Sequence, residues 1–244
     1  MLDCASYSGK EDMALKLNML PPSVNNMSVR VFVRAAGLPY EEENVWGQTQ
    51  GEEYLSKYPA GLTPTVESDE LPKGVLGESC AVMMYLASRE GRDDLYPSDL
   101  KRRAMVDSAN FYTMSIFYPL VARATYPRLS FAGYPGEVST SEAASDEDKE
   151  AARKAAEDAL PRILDVYPKF YGTADGFIGG GDSPTIADIR FASTLEFLTV
   201  ADTELPEWAK DYKDRVEAAL GDAYTEPAGD VRGYIAQVTG AAVA

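Results

Sequence analysis

The pattern of apolar and polar positions changes character near residue 90. Before that point, strand-like runs such as LKLNML and YEEENV alternate with runs of helical period, and two of these, SVRVFVRAAG and ESCAVMMYLASREG, end at Gly37 and Gly91. The segments PTVES and LPKGVLG add two short strands between them. Strand, helix, strand, and then strand, strand, helix, is the order of a small α/β sandwich.

From Asp99 onward the chain has helical periodicity and no convincing strand. The segments that show it are DLKRRAMVDSANFYTMSIFYPLVARA, SDEDKEAARKAAEDALPRILDVYPKFY, SPTIADIRFASTLEFLTV and PEWAKDYKDRVEAAL. Glycine, proline and charged residues cluster at residues 91–99, which marks a boundary. We predict a loose terminus at residues 1–14, an α/β domain at 15–90 and an all-helical domain at 99–244.

Composition indicates a soluble cytoplasmic protein. Of the 244 residues 45% are hydrophobic and 25% are charged, and no apolar run approaches the roughly 18 residues that cross a bilayer. The first residues lack the apolar segment of a secretory signal. The two cysteines, Cys4 and Cys80, are too few for a disulfide framework, which is typical of a reducing compartment.

Charge and the missing histidine exclude several kinds of chemistry. The net charge of −16 repels phosphate backbones and anionic lipids, so we predict no nucleic-acid partner and no membrane insertion. Without histidine, Ser-His-Asp and Cys-His catalysis is excluded, and so are the commonest zinc and haem ligands. The carboxylates and the two thiols show no spacing of a transition-metal site, so we predict no metal.

The segment LNMLPPSVNNMSVRVFVRAAGLPY holds more small polar side chains than a turn needs. Its strand ends at Pro21-Pro22, and a helix follows. The polar side chains between and within them are Ser23, Asn25, Asn26 and Ser28. Two interpretations are open: one of these side chains caps the helix, or one of them faces a substrate.

Two further segments suggest a ligand site. In LTPTV a cis bond before Pro64 would leave the backbone of Thr63 free to pair with a peptide-like ligand, although an ordinary trans proline is the commoner case, because about 5–6% of X-Pro bonds are cis. In GESCA, Ser79 and the first turn of a helix form an anion site beside the negative Glu78. That pair suits the carboxylate and ammonium of an amino acid, and a plain helix cap is the alternative.

A third segment, SPTIADI, has the spacing of a reciprocal capping box. Thr185 and Asp188 stand three residues apart just before an apolar helical run. We interpret this pair as structural.

In order and context these segments resemble one family, the cytosolic glutathione S-transferases, over residues 15 to about 225. The resemblance rests on LPPS after the first strand, LTPTV, GESCAVMMYL, DLYPSDLKRRAMVDS and SPTIADI, and it is greatest to theta-type and zeta-type members. It implies a thioredoxin-like N-terminal domain followed by an all-helical C-terminal domain. It also implies a homodimeric, detoxifying transferase that uses glutathione as co-substrate on a small electrophile.

The resemblance assigns roles to individual residues. Ser23 would donate a hydrogen bond to the glutathione sulfur and favour the thiolate, and Asn25 is the rival donor. Glu78 and Ser79 would hold the γ-glutamyl group. The remaining matches are Thr63 and Pro64, which would hold the cysteinyl part, and Asp107, which would reach the partner subunit's glutathione.

The helical half would supply the pocket for the electrophile. Four side chains are candidates for its lining: Tyr112, Met114, Phe117 and Tyr118. An aromatic stripe at helical spacing also suits a bundle core, and both interpretations stay open.

This sequence departs from the family pattern at several positions. No histidine exists, and Gly61-Leu62 stand where theta-like members commonly have lysine, which predicts weak glutathione affinity. Ser23-Val24-Asn25 replaces the zeta-type Ser-Ser-Cys, which disfavours isomerase activity, and Cys80 is read as a small buried apolar residue rather than a redox thiol. A non-catalytic interaction subunit of a larger complex is therefore the alternative function, since YPAGLTPTVE also resembles translation-factor subunits with this fold.

Overall fold

The computed structural model describes residues 15–131 and 137–240. The predicted terminus at residues 1–14 lies outside the described residues. In the N-terminal part, four strands form one mixed sheet of order β2-β1-β3-β4. The strands are β1 (Leu15–Met19), β2 (Tyr40–Asn44), β3 (Thr65–Glu67) and β4 (Val75–Gly77).

The pairing of the strands confirms a thioredoxin-like arrangement. β1 and β2 run parallel, with Leu15 opposite Tyr40, because helix α1 (Val24–Ala35) crosses over between them. β3 pairs antiparallel with both β1 and β4, with Leu17 opposite Val66. Helices α2 (Glu52–Lys57) and α3 (Ser79–Arg89) complete this layer.

The rest of the described chain is helical, as the sequence predicts. Its α-helices are α4 (Leu100–Tyr112), α5 (Tyr118–Leu129), α6 (Asp146–Leu164), α7 (Ile186–Phe197), α8 (Glu207–Leu220) and α9 (Asp222–Thr239). A short π-helical turn at Thr113–Phe117 continues α4, and a second one at Tyr167–Tyr171 follows α6. Two 3-10 turns lie at Val138–Thr140 and Leu198–Val200. Among these residues no helix is long and apolar enough to span a membrane.

Helix α7 lies at the centre of the helical part. All twelve of its residues are buried, which is the pattern of a helix packed on every side. It begins at the predicted capping box of Thr185 and Asp188. The Asp188 carboxylate accepts hydrogen bonds from the backbone N–H and from the hydroxyl of Thr185. The N-terminal layer meets it through α1, which contacts α7 and α9. The start of α1 is therefore held at the junction of the two parts.

Two helices were not among our predictions, for different reasons. Helix α2 spans only six residues, and just Tyr54 among them is buried, so it has almost no apolar periodicity to read. Helix α9 contains Pro227, Gly229 and Gly233, which count against a helix in sequence. Tertiary packing of its buried residues, such as Val231 and Ile235, overrides that propensity.

Candidate functional site

A cleft of about 610 Å³ lies where the N-terminal layer meets the helical part. From the N-terminal layer it is lined by Leu20, Pro22, Ser23, Asn25, Trp46, Thr49, Gln50, Tyr58, Gly61, Leu62, Thr63, Pro64, Glu78 and Ser79. From the helical part it is lined by Met114, Tyr118, Tyr126 and Phe131. The six predicted ligand residues between Ser23 and Ser79 thus share one cavity with side chains of the predicted electrophile pocket.

Ser23 occupies the N-cap position of α1 without acting as a cap. Its backbone is extended and its carbonyl accepts the Met27 N–H at 2.8 Å, yet its hydroxyl makes no capping hydrogen bond. Serine at this position usually bonds the helix backbone. The hydroxyl, which lines the cleft, is therefore available to a ligand.

Asn25 lies in the first turn of α1 and also lines the cleft. Its Oδ1 accepts a hydrogen bond from the Arg190 guanidinium, which comes from α7. The other polar residues of this segment have local partners: Ser28 donates to the Asn25 carbonyl at 2.8 Å, and Asn26 donates to Thr63 Oγ1 at 3.1 Å. Only Ser23 and Asn25 of the four face the cleft.

The Thr63-Pro64 bond is cis, and both residues line the cleft. The Asn26 bond to the Thr63 hydroxyl ties this segment to α1. Among the residues the structure describes, no hydrogen bond occupies the backbone N–H or carbonyl of Thr63. An extended peptide can pair with these two groups.

Glu78 and Ser79 line the cleft at the start of α3. Glu78 has a positive φ of 67°, which is unusual for a residue with a side chain and often marks a functional site. Ser79 is only 2% exposed, and its hydroxyl has no hydrogen-bond partner. A buried, unsatisfied hydroxyl beside the free N–H groups of a helix start is suited to an anion.

Tyr58 leans against the backbone beside Glu78. A Cβ at Gly77 would collide with its ring, so glycine is needed for this approach. Burial and the nearby Glu78 carboxylate raise the pKa of Tyr58, which keeps its hydroxyl protonated and able to donate. Tyr58 is therefore an additional neutral donor in the cleft.

The helical wall of the cleft contains two of the four predicted pocket residues. Met114 and Tyr118 face the cleft, whereas Phe117 and Tyr112 do not. Phe117 is fully buried in the core, and Tyr112 packs against Tyr167 with ring centroids 5.6 Å apart. In the structure Phe117 lies within the hydrophobic core, and Tyr112 packs against it. The π-helical turn at Thr113–Phe117 sets which side chains face the cleft, and a regular helical period does not reveal such a turn.

Three aromatic side chains of the cleft were missed by sequence reasoning. Trp46 follows β2, Tyr126 lies in α5 and Phe131 follows α5. They adjoin one another, since the Phe131 ring lies 6.3 Å from Trp46 and 5.1 Å from Tyr126. Trp46 stays 48% exposed. The sequence shows only a tryptophan shortly after the predicted strand YEEENV, which does not by itself indicate a cleft.

Comparison with known proteins agrees with this geometry. Residues 19–93 match the family model described as glutathione S-transferase, N-terminal domain. A delta-class glutathione transferase of Nilaparvata lugens is similar over 92% of this chain and 100% of its own, at 26% identity and a TM-score of 0.68. Residues 19–93 are thus similar to the N-terminal domain of glutathione S-transferases, and the chain as a whole has the fold of these proteins.

Two human family members share the fold. Glutathione S-transferase T1-1 in its apo form is similar over 93% of this chain and 91% of its own, at 22% identity and a TM-score of 0.73. Glutathione transferase theta-2, in complex with glutathione and an unknown ligand, is similar over 93% and 90%, at 23% identity and a TM-score of 0.70. Both likenesses extend through the helical part of the transferase fold.

Asp107 is not among the residues that line the cleft. Its carboxylate accepts a hydrogen bond from the Tyr96 hydroxyl at 2.8 Å. Burial and that carboxylate raise the pKa of Tyr96 to about 12, so the phenol remains a donor. Asp107 thus ties α4 to the segment between the two parts of the chain.

The charge of the cleft departs from what glutathione, with two carboxylates, would require. Glu78 is the one charged side chain among the described residues that line it. Leu62, at the position where lysine is common in the family, is 47% exposed at the rim. Across residues 15–131 and 137–240 no cluster of His, Cys, Asp or Glu side chains is suited to a metal ion.

Proposed function

We propose that this protein is a glutathione transferase that joins the sulfur of glutathione to a small apolar electrophile. The thiolate attacks an electrophilic carbon, a carbon–sulfur bond forms, and a leaving group such as halide departs with the bonding electrons. The observation that carries the proposal is the pair of cleft hydroxyls, Ser23 and Ser79, neither of which the fold uses for its own hydrogen bonds.

The γ-glutamyl end of glutathione fits the start of α3. Ser79 and the N–H groups of the first turn are donors for its carboxylate, and the helix dipole favours negative charge there. Glu78, which lines the same cleft, would accept its ammonium group. The backbone of Thr63 would pair with the cysteinyl part, which directs the sulfur towards Ser23.

The electrophile would bind against the aromatic side of the cleft. Trp46, Tyr118, Tyr126 and Phe131 supply apolar surface there, and Met114 adds a flexible, polarisable side chain. This lining favours an apolar or aromatic substrate over a charged one.

Replacing Ser79 by alanine is expected to weaken glutathione binding about 10- to 100-fold, because a hydrogen bond to a charged group contributes roughly 1.5–3 kcal/mol. Stability should not fall, since the hydroxyl has no partner within the folded protein. Titration calorimetry with glutathione measures the first effect, and thermal unfolding measures the second.

Ser193→Ala is the matched control for this variant. Ser193 is equally buried with an unpaired hydroxyl, but it lies in α7 away from the cleft. It should leave the affinity unchanged. Equal affinities for wild type and Ser79→Ala would contradict the proposed binding mode.

Leu62→Lys is expected to tighten glutathione binding about two- to fivefold, the usual strength of an exposed ion pair. The lysine would supply the glycine carboxylate with the cation that the described lining lacks. The gain should disappear at high salt, because exposed charges are screened. Leu62→Gln controls for the change in polarity, and a gain of the same size in that variant would show that charge is not the cause.

A non-catalytic interaction subunit is the second candidate, favoured by the absence of a lysine or arginine among the described lining residues. Retention on immobilised glutathione, followed by a conjugation assay with a general electrophile, separates the two. Retention without turnover by the intact protein would favour the second candidate. Homodimer formation, cytoplasmic location and a role in detoxification stay predictions.

A further inference from the structure

Arg190 carries a fully buried charge at the junction of the two parts of the chain. Arginine stays protonated in proteins, and burying an unpaired charge costs about several kcal/mol. Its hydrogen-bond partners among the described residues include no carboxylate. This side chain therefore lacks the compensation that buried arginines usually have.

The neighbours of Arg190 lead towards the cleft. Its Nε donates to Met114 Sδ at 3.2 Å, its Nη1 donates to Thr194 Oγ1 at 2.6 Å, and its Nη2 donates to Asn25 Oδ1. The guanidinium also lies over the Tyr118 ring, 4.9 Å from its centroid. Met114, Asn25 and Tyr118 all line the cleft, so the charge lies directly behind its wall.

The hydrogen bond from Arg190 identifies the oxygen and the nitrogen of the Asn25 side-chain amide. A guanidinium can only donate, so the group facing it must be the carbonyl oxygen, and the amino group is the end left for the cleft. Asn25 lies two residues after Ser23 on the same helix start. The amide would thus offer N–H donors to the same atom as the Ser23 hydroxyl.

We propose that Arg190 is a positioning residue for glutathione ionisation: it orients Asn25 as a donor to the sulfur and places an uncompensated positive charge behind the thiolate. This inference rests on the proposed function. Ser23 and Asn25 then act together rather than as rivals. The bound thiolate is the anion that would balance the buried charge.

The titratable groups around the guanidinium do not supply that anion. Cys80 on α3 is near it, and burial raises the pKa of the Cys80 thiol although Arg190 opposes the shift. Burial also raises the pKa of Tyr167 well above its usual value. Tyr118 on α5 presents its ring face, and Glu78, on the cleft wall, is exposed to solvent. Cys80 and Tyr167 are therefore protonated at neutral pH.

The test is the pKa of the thiol of glutathione bound to the purified protein, read from the ultraviolet absorbance of the thiolate during a pH titration. Arg190→Met should raise this pKa by about one unit and lower kcat/KM at neutral pH about tenfold, with most of the loss in kcat. Arg190→Lys, which keeps the charge, should recover part of the shift.

Two more variants separate this role from a structural one. Asn25→Asp gives the guanidinium a carboxylate, so the melting temperature should not fall, yet the thiol pKa should rise at least as far as in Arg190→Met. Arg215→Met is the matched control, because Arg215 also bonds neutral groups, the carbonyls of Thr173 and Gly176, and neither of these residues lines the cleft. It should leave the thiol pKa unchanged.

The outcomes distinguish the two proposals. A wild-type thiol pKa equal to that of free glutathione would overturn the proposed function and this inference together. A lowered wild-type value that stays the same in Arg190→Met, or in Asn25→Asp if the first variant does not fold, would overturn this inference alone. A parallel rise in both variants supports it.

Discussion

Ser23→Ala should lower kcat/KM for conjugation about 100- to 1000-fold, as the loss of a single donor to a developing or fixed anion does in other enzymes. The hydroxyl is placed at the helix start, lines the cleft and makes no capping bond. Its removal should therefore cost little stability and little glutathione affinity. Initial rates with a general aryl halide, together with calorimetric titration of glutathione, measure both quantities.

Ser23→Thr is the control for this variant, because it keeps the hydroxyl at the same backbone position. It should retain more activity than Ser23→Ala. If Asn25→Ala abolishes turnover while Ser23→Ala keeps it, the amide is the principal donor and the role assigned to Ser23 is wrong.

Asp188→Ala should lower the free energy of unfolding by about 4 kcal/mol, the range of a broken buried polar network. The carboxylate is fully buried and accepts four bonds: from the N–H groups of Ile178 at 2.8 Å and Thr185 at 2.7 Å, and from the hydroxyls of Thr185 at 2.7 Å and Tyr212 at 2.5 Å. Its loss leaves buried donors without an acceptor, and each such donor lowers the stability by its desolvation penalty. Urea or thermal unfolding measures the change.

Asp99→Ala is the matched control for the stability prediction. Asp99 also caps a helix, but its carboxylate is exposed and accepts a single backbone bond, from Arg102 at 2.9 Å. It should cost about 1 kcal/mol, the usual effect of a surface cap. Equal losses in the two variants would show that the burial of the Asp188 network adds nothing.

The order of elements in the fold could be read from the sequence because its apolar periods are strong. The strand around Leu17 and the fully buried helix from Ile186 to Phe197 carry clear signals. The capping box at Thr185 could be predicted for the same reason, since its two bonds are local in sequence. Helix α9 could not, because its stability comes from distant packing partners rather than from its own composition.

The residues of the candidate site also differ in whether the sequence alone could predict them. Residues next to element ends, such as Ser23, Thr63 and Ser79, could be located because strands and helices present their ends at a common edge. The π-helical turn that aims Met114 and Tyr118 into the cleft has no sequence signal. The contact between Arg190 and Asn25 joins residues 165 positions apart, so it can be recognised only in the folded structure.

The most direct test of the central claim is the pKa of the thiol of glutathione bound to the wild-type protein, measured by its thiolate absorbance. We expect saturable binding and a thiol pKa at least one unit below that of free glutathione, about a tenfold gain in thiolate. A bound thiol that titrates like free glutathione, or no binding at all, would contradict the account.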